Sequence, residues 1–482
     1  MKLKYFSAFF LIIILAACSE QPTTSLEQKI IEDAATALGG RIAIDSATTF
    51  SIEAEGTLGN LGQDVTAETA EQFFKISDYK QSNNLSSKQM HIKLISTPDY
   101  LYFRGPDPIN ISVGIDGNIA YNIEANGNAR RGSDDQATEL NHLYYHHPLK
   151  LIHEALKTSA TLSNGRTENG INKVNITTTD GLNFTLATDA TSNLVSSITS
   201  IQNHPVLRDV AKQTIFSDYT QIGDLNLPSH LINSIDDFEL YNLKYTKQSI
   251  NGENTDLSVP ASAMAALPAS TPAEITAEKI ADGIWLLAGG YNSLVVEYSD
   301  HLTLYESPSE SRGLAVIAKA RTLVPNKPLT HVVNTHHHFD HSGGIRAAIS
   351  EGLTIITQSA NEAFYKSLAA RSSKIVPDAL EKKPMDIKII TIDDKMVHVD
   401  DAMTVEFYHI TDNPHAKSLL MAYFPAQKIL YQADVYSSGA TYHPFAAKFL
   451  EMLKGLDLDI ERIIPVHGSI ATYDDLVKAV GE

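Results

Sequence analysis

The stretch Thr335-His336-His337-His338-Phe339-Asp340-His341-Ser342-Gly343-Gly344 places four side chains able to hold a metal ion, His336, His338, Asp340 and His341, close together. It directly follows an apolar run at 329–334, so a strand end would fix one end of the segment while its side chains converge. Successive side chains of an extended chain point to opposite sides, so His336 and His338 project to one point while His337 points away. Asp340 and His341 can turn toward a second point, and Gly343-Gly344 lets the backbone fold tightly into the next helix. The only cysteine is Cys18, far from this run, so any metal site must be built from imidazole and carboxylate donors.

The run resembles the His-x-His-x-Asp-His signature of the metallo-β-lactamase superfamily. That pattern continues with a later histidine, an aspartate ending a strand and a histidine after a final strand. The chain has Asn413-Pro414-His415-Ala416-Lys417-Ser418, then Ile429-Leu430-Tyr431-Gln432-Ala433-Asp434, then Ile463-Ile464-Pro465-Val466-His467-Gly468. The resemblance covers residues 278–480 or so, and implies an αβ/βα sandwich. It implies that His336, His338 and His415 hold a first metal, that Asp340, His341 and His467 hold a second, and that Asp434 bridges them. Two divalent ions about 3.5–4 Å apart would share a hydroxide as nucleophile, with Asp340 orienting it or accepting its proton. Zinc suits these donors, although iron, manganese and cobalt accept the same set.

The resemblance also narrows the reaction. The diiron oxidoreductase branch carries a glutamate where this chain has His338, and true metallo-β-lactamases generally lack the bridging aspartate, whereas glyoxalase II-like thioesterases, lactonases and phosphodiesterases have it. The expected reaction is hydrolysis of an ester, thioester or lactone in a small-molecule substrate, with β-lactam hydrolysis as the alternative. Many members end the second strand with an aspartate; here Leu304-Tyr305 runs into Glu306, which is expected to support a metal ligand by a hydrogen bond. Tyr436, Tyr442 and His443 follow Asp434, where the family places substrate-contacting loops, and are candidates for leaving-group or oxyanion contact. His331 and His337 read as packing or support, His409 as a poorer ligand candidate than His415, and Trp285 as core. His142, His146, His147 and His153 read as the solvated start of a helix.

The elements that must position these residues alternate. After residue 275 strands are expected at 293–297, 302–306, 329–334, 353–357, 387–392, 404–410, 418–424, 428–433 and 460–466. Helices are expected at 311–323, 343–350, 445–453 and 476–480, which gives mixed sheets covered by helices. Before residue 250 the pattern is different. Ser25 with Gln28 caps a helix whose Leu26, Ile30, Ala34 and Leu38 share one face, and Gly39-Gly40 ends it. From 41 to 250 alternating apolar and polar residues read as antiparallel strands, with hairpin turns at Asp116-Gly117 and Asp180-Gly181 and one helix near 148–157. The whole is α+β, its N-terminal part similar in pattern to the half-barrel of periplasmic lipoprotein carriers.

Residues 1–17 read as a signal peptide: Met1-Lys2-Leu3-Lys4, a short apolar run, and Leu15-Ala16-Ala17 before Cys18. Leu-Ala-Ala-Cys resembles a bacterial lipobox, which implies acylation of Cys18, a lipidated tether at 18–24 and a lipid anchor in the envelope, facing the periplasm from the outer membrane. Residues 25–252 are then the β-rich domain, 253–275 a Pro- and Ala-rich linker, and 276–482 the hydrolase domain. Of the 482 residues, 57 are acidic and 38 basic, giving a formal net charge of −19. That balance argues against a nucleic-acid partner, which needs clustered Lys and Arg. A second class of role stays open beside the enzyme: an envelope lipid- or lipoprotein-binding protein with an accessory hydrolase domain.

Overall fold

The computed structural model describes residues 24–68, 70–252, 256–268 and 274–481; the expected signal peptide and Cys18 lie outside them. No described helix is long and apolar enough to cross a membrane. Between Thr49 and Ile250 the alternation of side chains produces strands with one buried face, as in Phe73–Asn84, and they pair into one 13-stranded antiparallel sheet. Two meanders make it. One runs outward from Thr49–Gly59 to the edge strand Ala129–Arg131; the other runs inward from the opposite edge strand, Thr161–Glu168, to Phe238–Ile250. They join where Phe50 faces Ile250 in register.

The chain passes from one edge to the other through two helices, Asp134–Tyr145 and Pro148–Ala155, rather than the single helix expected. Ser133 caps the first, and its polar, acidic opening turn hides its apolar face from a periodicity reading. His147 caps the second and Pro148 starts it. Leu26–Ala37 forms with its capping box and ends before Gly39-Gly40 as expected, and a short separate helix, Arg41–Ser46, follows before the first strand. These helices cover one face of the sheet, where Ile30, Leu38, Leu149 and Leu151 pack with Phe50 and Met90. His146 and His147 are buried here, not solvated, because His146 shares hydrogen bonds with Thr214 and Ser200, each at 2.9 Å. The segment after the sheet is docked as well. Tyr121 donates to the Leu257 carbonyl, Ser262 to that of Ala129, and Ala263 is buried beside the edge strand.

The C-terminal domain stacks two sheets. A seven-stranded sheet runs from Thr276–Ala281 to Ile389–Ile392, and a six-stranded one from Lys395–Val399 to Ala471–Thr472. Tyr305, Phe407, Phe424 and Tyr431 fill the space between them, and the helix Glu310–Leu323 packs on the outside of the first through Val316 and Ile317. Trp285 is only half-buried, at the margin of this packing. The expected strands lie within a few residues of their predicted positions; the additions include the strands Thr276–Ala281, Ile284–Ala288, Lys395–Val399 and Ala471–Thr472 and the helices Glu362–Ala370 and Ala379–Lys382.

Because strands of a meander alternate in direction, the connections at 60–72, 99–108 and 205–207 all emerge at one end of the N-terminal sheet. That end meets the C-terminal domain. Val206 enters the outer core of the seven-stranded sheet. Arg208 is buried and ion-paired to Asp378 at 3.0 Å and Glu310 at 3.1 Å, while Arg346 donates to both oxygens of Asp378. Arg371 donates to the Leu207 carbonyl and to Asp236.

Candidate metal centre

Three short parallel strands and one loop bring the predicted residues to a single edge of the sandwich. Leu329–Val333 ends just before Asn334 and leads into His336 and His338; a short helix, Phe339–Ser342, then carries Asp340 and His341. Ile429–Gln432 and Arg462–Pro465 pair in parallel, and Asp434 and His467 each lie two residues beyond a strand end. His415 comes from the loop before Leu420–Phe424, fixed by its backbone N–H donating to Asn413 Oδ1. All seven expected residues fall into two groups that share Asp434: His336, His338, His415 and Asp434, then Asp340, His341, Asp434 and His467. Within each group the ligand atoms lie within 4.8 Å of one another.

Asp434 Oδ2 is 2.9 Å from His341 Nε2, 3.1 Å from His415 Nε2 and 3.4 Å from His336 Nε2. Asp340 Oδ2 is 3.3 Å from His467 Nε2. Burial, reinforced by neighbouring imidazoles, pushes His336 and His338 well below the usual histidine range, so both are neutral with lone pairs to offer. Burial also opposes protonation of His341, but Asp434 and Glu306 outweigh it and raise that ring well above its ordinary value. Burial works against Asp434 as an anion, yet His341, His336 and His415 hold its carboxyl well below the usual range. The buried atoms His336 Nε2 and His338 Nδ1 have no hydrogen-bond partner among the described residues. An orphaned buried polar atom costs roughly 1–3 kcal/mol, and one cation held by both atoms would remove that cost. The donor set fits divalent metal.

Glu306 stands beside a candidate ligand as an ion-pair partner rather than through the hydrogen bond expected of it. It is fully buried, its Oε2 lies 3.4 Å from His341 Nδ1, and its Oε1 accepts the Thr335 N–H at 2.7 Å. Its backbone φ of +70° and that of Asp434, +62°, are left-handed, a strain that non-glycine residues carry where geometry is imposed.

The N-terminal domain completes the site, which the sequence did not disclose. The connection at 60–72 lies against the metal-binding run. The Asp64 carbonyl accepts from His338 Nε2 at 2.8 Å and from His337 Nε2 at 2.9 Å, leaving His338 Nδ1 to face the centre. Gln63 Nε2 donates to Asp340 Oδ1 at 2.6 Å, and the Phe339 N–H donates to the Gly62 carbonyl at 3.0 Å. Gly62 has φ +76°, and a Cβ there would fall 2.1 Å from the Phe339 ring, so only glycine allows this approach. His337 therefore supports its neighbour through a shared carbonyl, its other nitrogen meeting Ser418 Oγ. His409 bonds to the Lys417 carbonyl and His331 packs against His301; neither reaches the centre.

Residues 287–446 match the family described as the metallo-beta-lactamase superfamily. The C-terminal domain is a metallo-β-lactamase-superfamily domain. The match stops short of His467, which the fold nonetheless delivers to the same centre. Among solved structures, this superfamily domain is similar to the DIM-1 metallo-β-lactamase, at 19% identity over 43% of this chain and 95% of that one, with TM-score 0.33. It is also similar to a metallo-β-lactamase from Pontibacter korlensis (16% identity, 43% and 100% covered, TM-score 0.34). A third is FIM-1 from Pseudomonas aeruginosa in its mono-zinc form (18%, 44% and 95%, TM-score 0.35). Comparison with curated proteins returns no match.

Beside the centre of this superfamily domain lies a cavity of about 460 Å³. Asp340, His415, Asp434 and His467 form its floor, and the expected contact residues Tyr436, Tyr442 and His443 form one wall. Gln63, Phe103 and Arg104, from the connections at 60–72 and 99–108, form another. One sequence signal could have found them: two long connections inside a meander of otherwise tight turns, since long loops in compact folds commonly carry function.

Proposed function

We propose that the chain is a metal-dependent hydrolase that uses two divalent ions, zinc by preference, to cleave an ester, thioester or lactone bond in a small molecule. The observation that carries this reading is the pair of donor groups sharing Asp434 at the floor of a cavity. Bound divalent ions would supply Lewis acidity and a water that ionises near neutral pH. His336, His338 and His415 would hold one ion, Asp340, His341 and His467 the other, with Asp434 between them.

The chain's own residues account for the remainder. Asp340 is part-exposed to the cavity, and with one oxygen fixed by Gln63 it is placed to orient a water and take its proton. The buried rings of Tyr436 and Phe445 exclude solvent from the floor. Tyr442 and His443 stand where a leaving group would depart. The sequence features of residues 1–18 support placing this activity on a lipid-anchored protein facing the periplasm.

The test is elemental analysis of the purified protein after metal loading, with a panel of ester, thioester, lactone and β-lactam substrates for wild type and Asp434→Ala. The reading requires bound transition metal and turnover of an ester-type substrate that Asp434→Ala abolishes. Absence of metal after loading would end it.

A second reading has its own observation. The N-terminal domain encloses a largely apolar cavity of about 250 Å³ between sheet and helices, lined by Ile52, Leu94, Leu143 and Tyr245 among others. If lipid carriage is the principal role, Asp434→Ala in the full chain would leave the biological function standing.

A further inference from the structure

We propose that Arg104 is a specificity-determining residue, and that the substrate carries a carboxylate remote from the scissile bond and an apolar or aromatic body between them. The inference rests on the hydrolase reading above and names its substrate class. Among the described residues Arg104 is the only lysine or arginine lining the cavity, and the acids there, Asp340 and Asp434, lie on the floor. In a chain of 57 acidic and 38 basic residues most guanidinium groups find a carboxylate, as Arg208, Arg346 and Arg371 do. Among the described residues Arg104 has none within ion-pairing distance; its guanidinium lies 5.0 Å from the ring of its neighbour Phe103.

The loop is placed so that this charge overhangs the cavity. Gly105 has φ +93°, and a Cβ there would lie 4.0 Å from Tyr442 Cδ1, so the tip of the N-terminal loop reaches the wall supplied by the C-terminal domain. Phe103 and Tyr442 are each 39% exposed, an unusual state for large rings that face one cavity. A rigid planar fork beside two open aromatic faces suits an anion attached to an apolar body, and the fork geometry matches a carboxylate. The volume suits a small organic molecule rather than a polymer.

Two pairs of esters test this. Phenyl hexanoate and monophenyl adipate differ by a carboxylate on the acyl side; phenyl acetate and 4-acetoxybenzoate differ by one on the leaving side. Metal-loaded wild type should prefer the anionic member of one pair by roughly tenfold in kcat/KM, expressed in KM. Arg104→Ala should bring that ratio close to one, Arg104→Lys should keep part of it, and Arg104→Glu should invert it. Absence of preference in wild type, or its persistence in Arg104→Ala, would overturn the proposal while leaving the hydrolase reading intact. If wild type turns over no ester, the hydrolase reading fails separately, and calorimetry with 4-phenylbutyrate and 4-phenylbutyramide decides the anion site. Tighter binding of the acid that Arg104→Ala abolishes supports it; equal binding by the two proteins overturns it.

Discussion

Replacing Gln63 by Met removes one hydrogen bond from a domain that carries none of the proposed metal ligands. The Gln63 amide donates to Asp340 Oδ1 at 2.6 Å, and the other oxygen of Asp340 faces His467 at 3.3 Å. A hydrogen bond to a charged group is worth about 1.5–3 kcal/mol. The Asp340 side chain is 34% exposed, so water takes over part of the lost bond and the loss falls just below that range, to about 1.4 kcal/mol or tenfold. The loss falls on the group formed by Asp340, His341 and His467. The other group keeps its affinity, because His338 is oriented by the backbone carbonyl of Asp64, which the substitution leaves in place. Zinc titration against a chromogenic chelator should therefore show one of two affinities weakened about tenfold and the other within twofold, with the circular dichroism spectrum of the metal-free protein unchanged. Parallel loss at both sites, or no loss at either, would refute the claim that the N-terminal loop tunes one half of the centre.

Other expectations follow from the same contacts. Gly62→Ala forces a Cβ against the Phe339 ring at a left-handed φ and should cost about 1–3 kcal/mol in chemical denaturation. Asp378→Ala takes its carboxylate partner from the buried Arg346 and leaves Arg208 with Glu310 alone, and should cost about 3–5 kcal/mol. Burial works against the Asp378 anion but its arginine partners hold the carboxyl below the usual range, so its contribution should be present above about pH 4 and lost as pH falls below it. Burial pulls the Lys150 ammonium down to about 7 from 10.5, so between those values the unfolded chain holds a proton that the folded one has released. Stability should accordingly rise from pH 7 to 9, and Lys150→Met should flatten that rise and add about 1–3 kcal/mol at pH 7, read from urea titrations at both values.

Six of the seven proposed ligands were legible because they follow a strand end, and strand ends announce themselves as apolar runs giving way to a polar turn; His415, in a loop before a strand, rested on the family pattern. His336 and His338 needed only the two-residue repeat of an extended chain, and Asp434 and His467 only the runs at 429–432 and 462–465. Gln63, Asp64 and Arg104 had no such marker. They are polar loop residues, and Gln63 and Asp64 lie more than 270 positions before the residues they touch. Nothing periodic links a loop to a distant partner. The buried His146 misled for a related reason, since polarity predicts exposure only when no partner waits inside, and Ser200 and Thr214 wait on strands far along the chain.

The segment at 256–264 lies over the strand Ala129–Arg131, with Ser262 and Tyr121 closing hydrogen bonds on either side of it. That strand is a margin of the large sheet, where unpaired backbone groups invite a strand from another molecule. The passage between domains therefore also serves as a guard against intermolecular zippering. A protease cut within it should expose that margin and raise self-association, read by size-exclusion chromatography of the nicked protein.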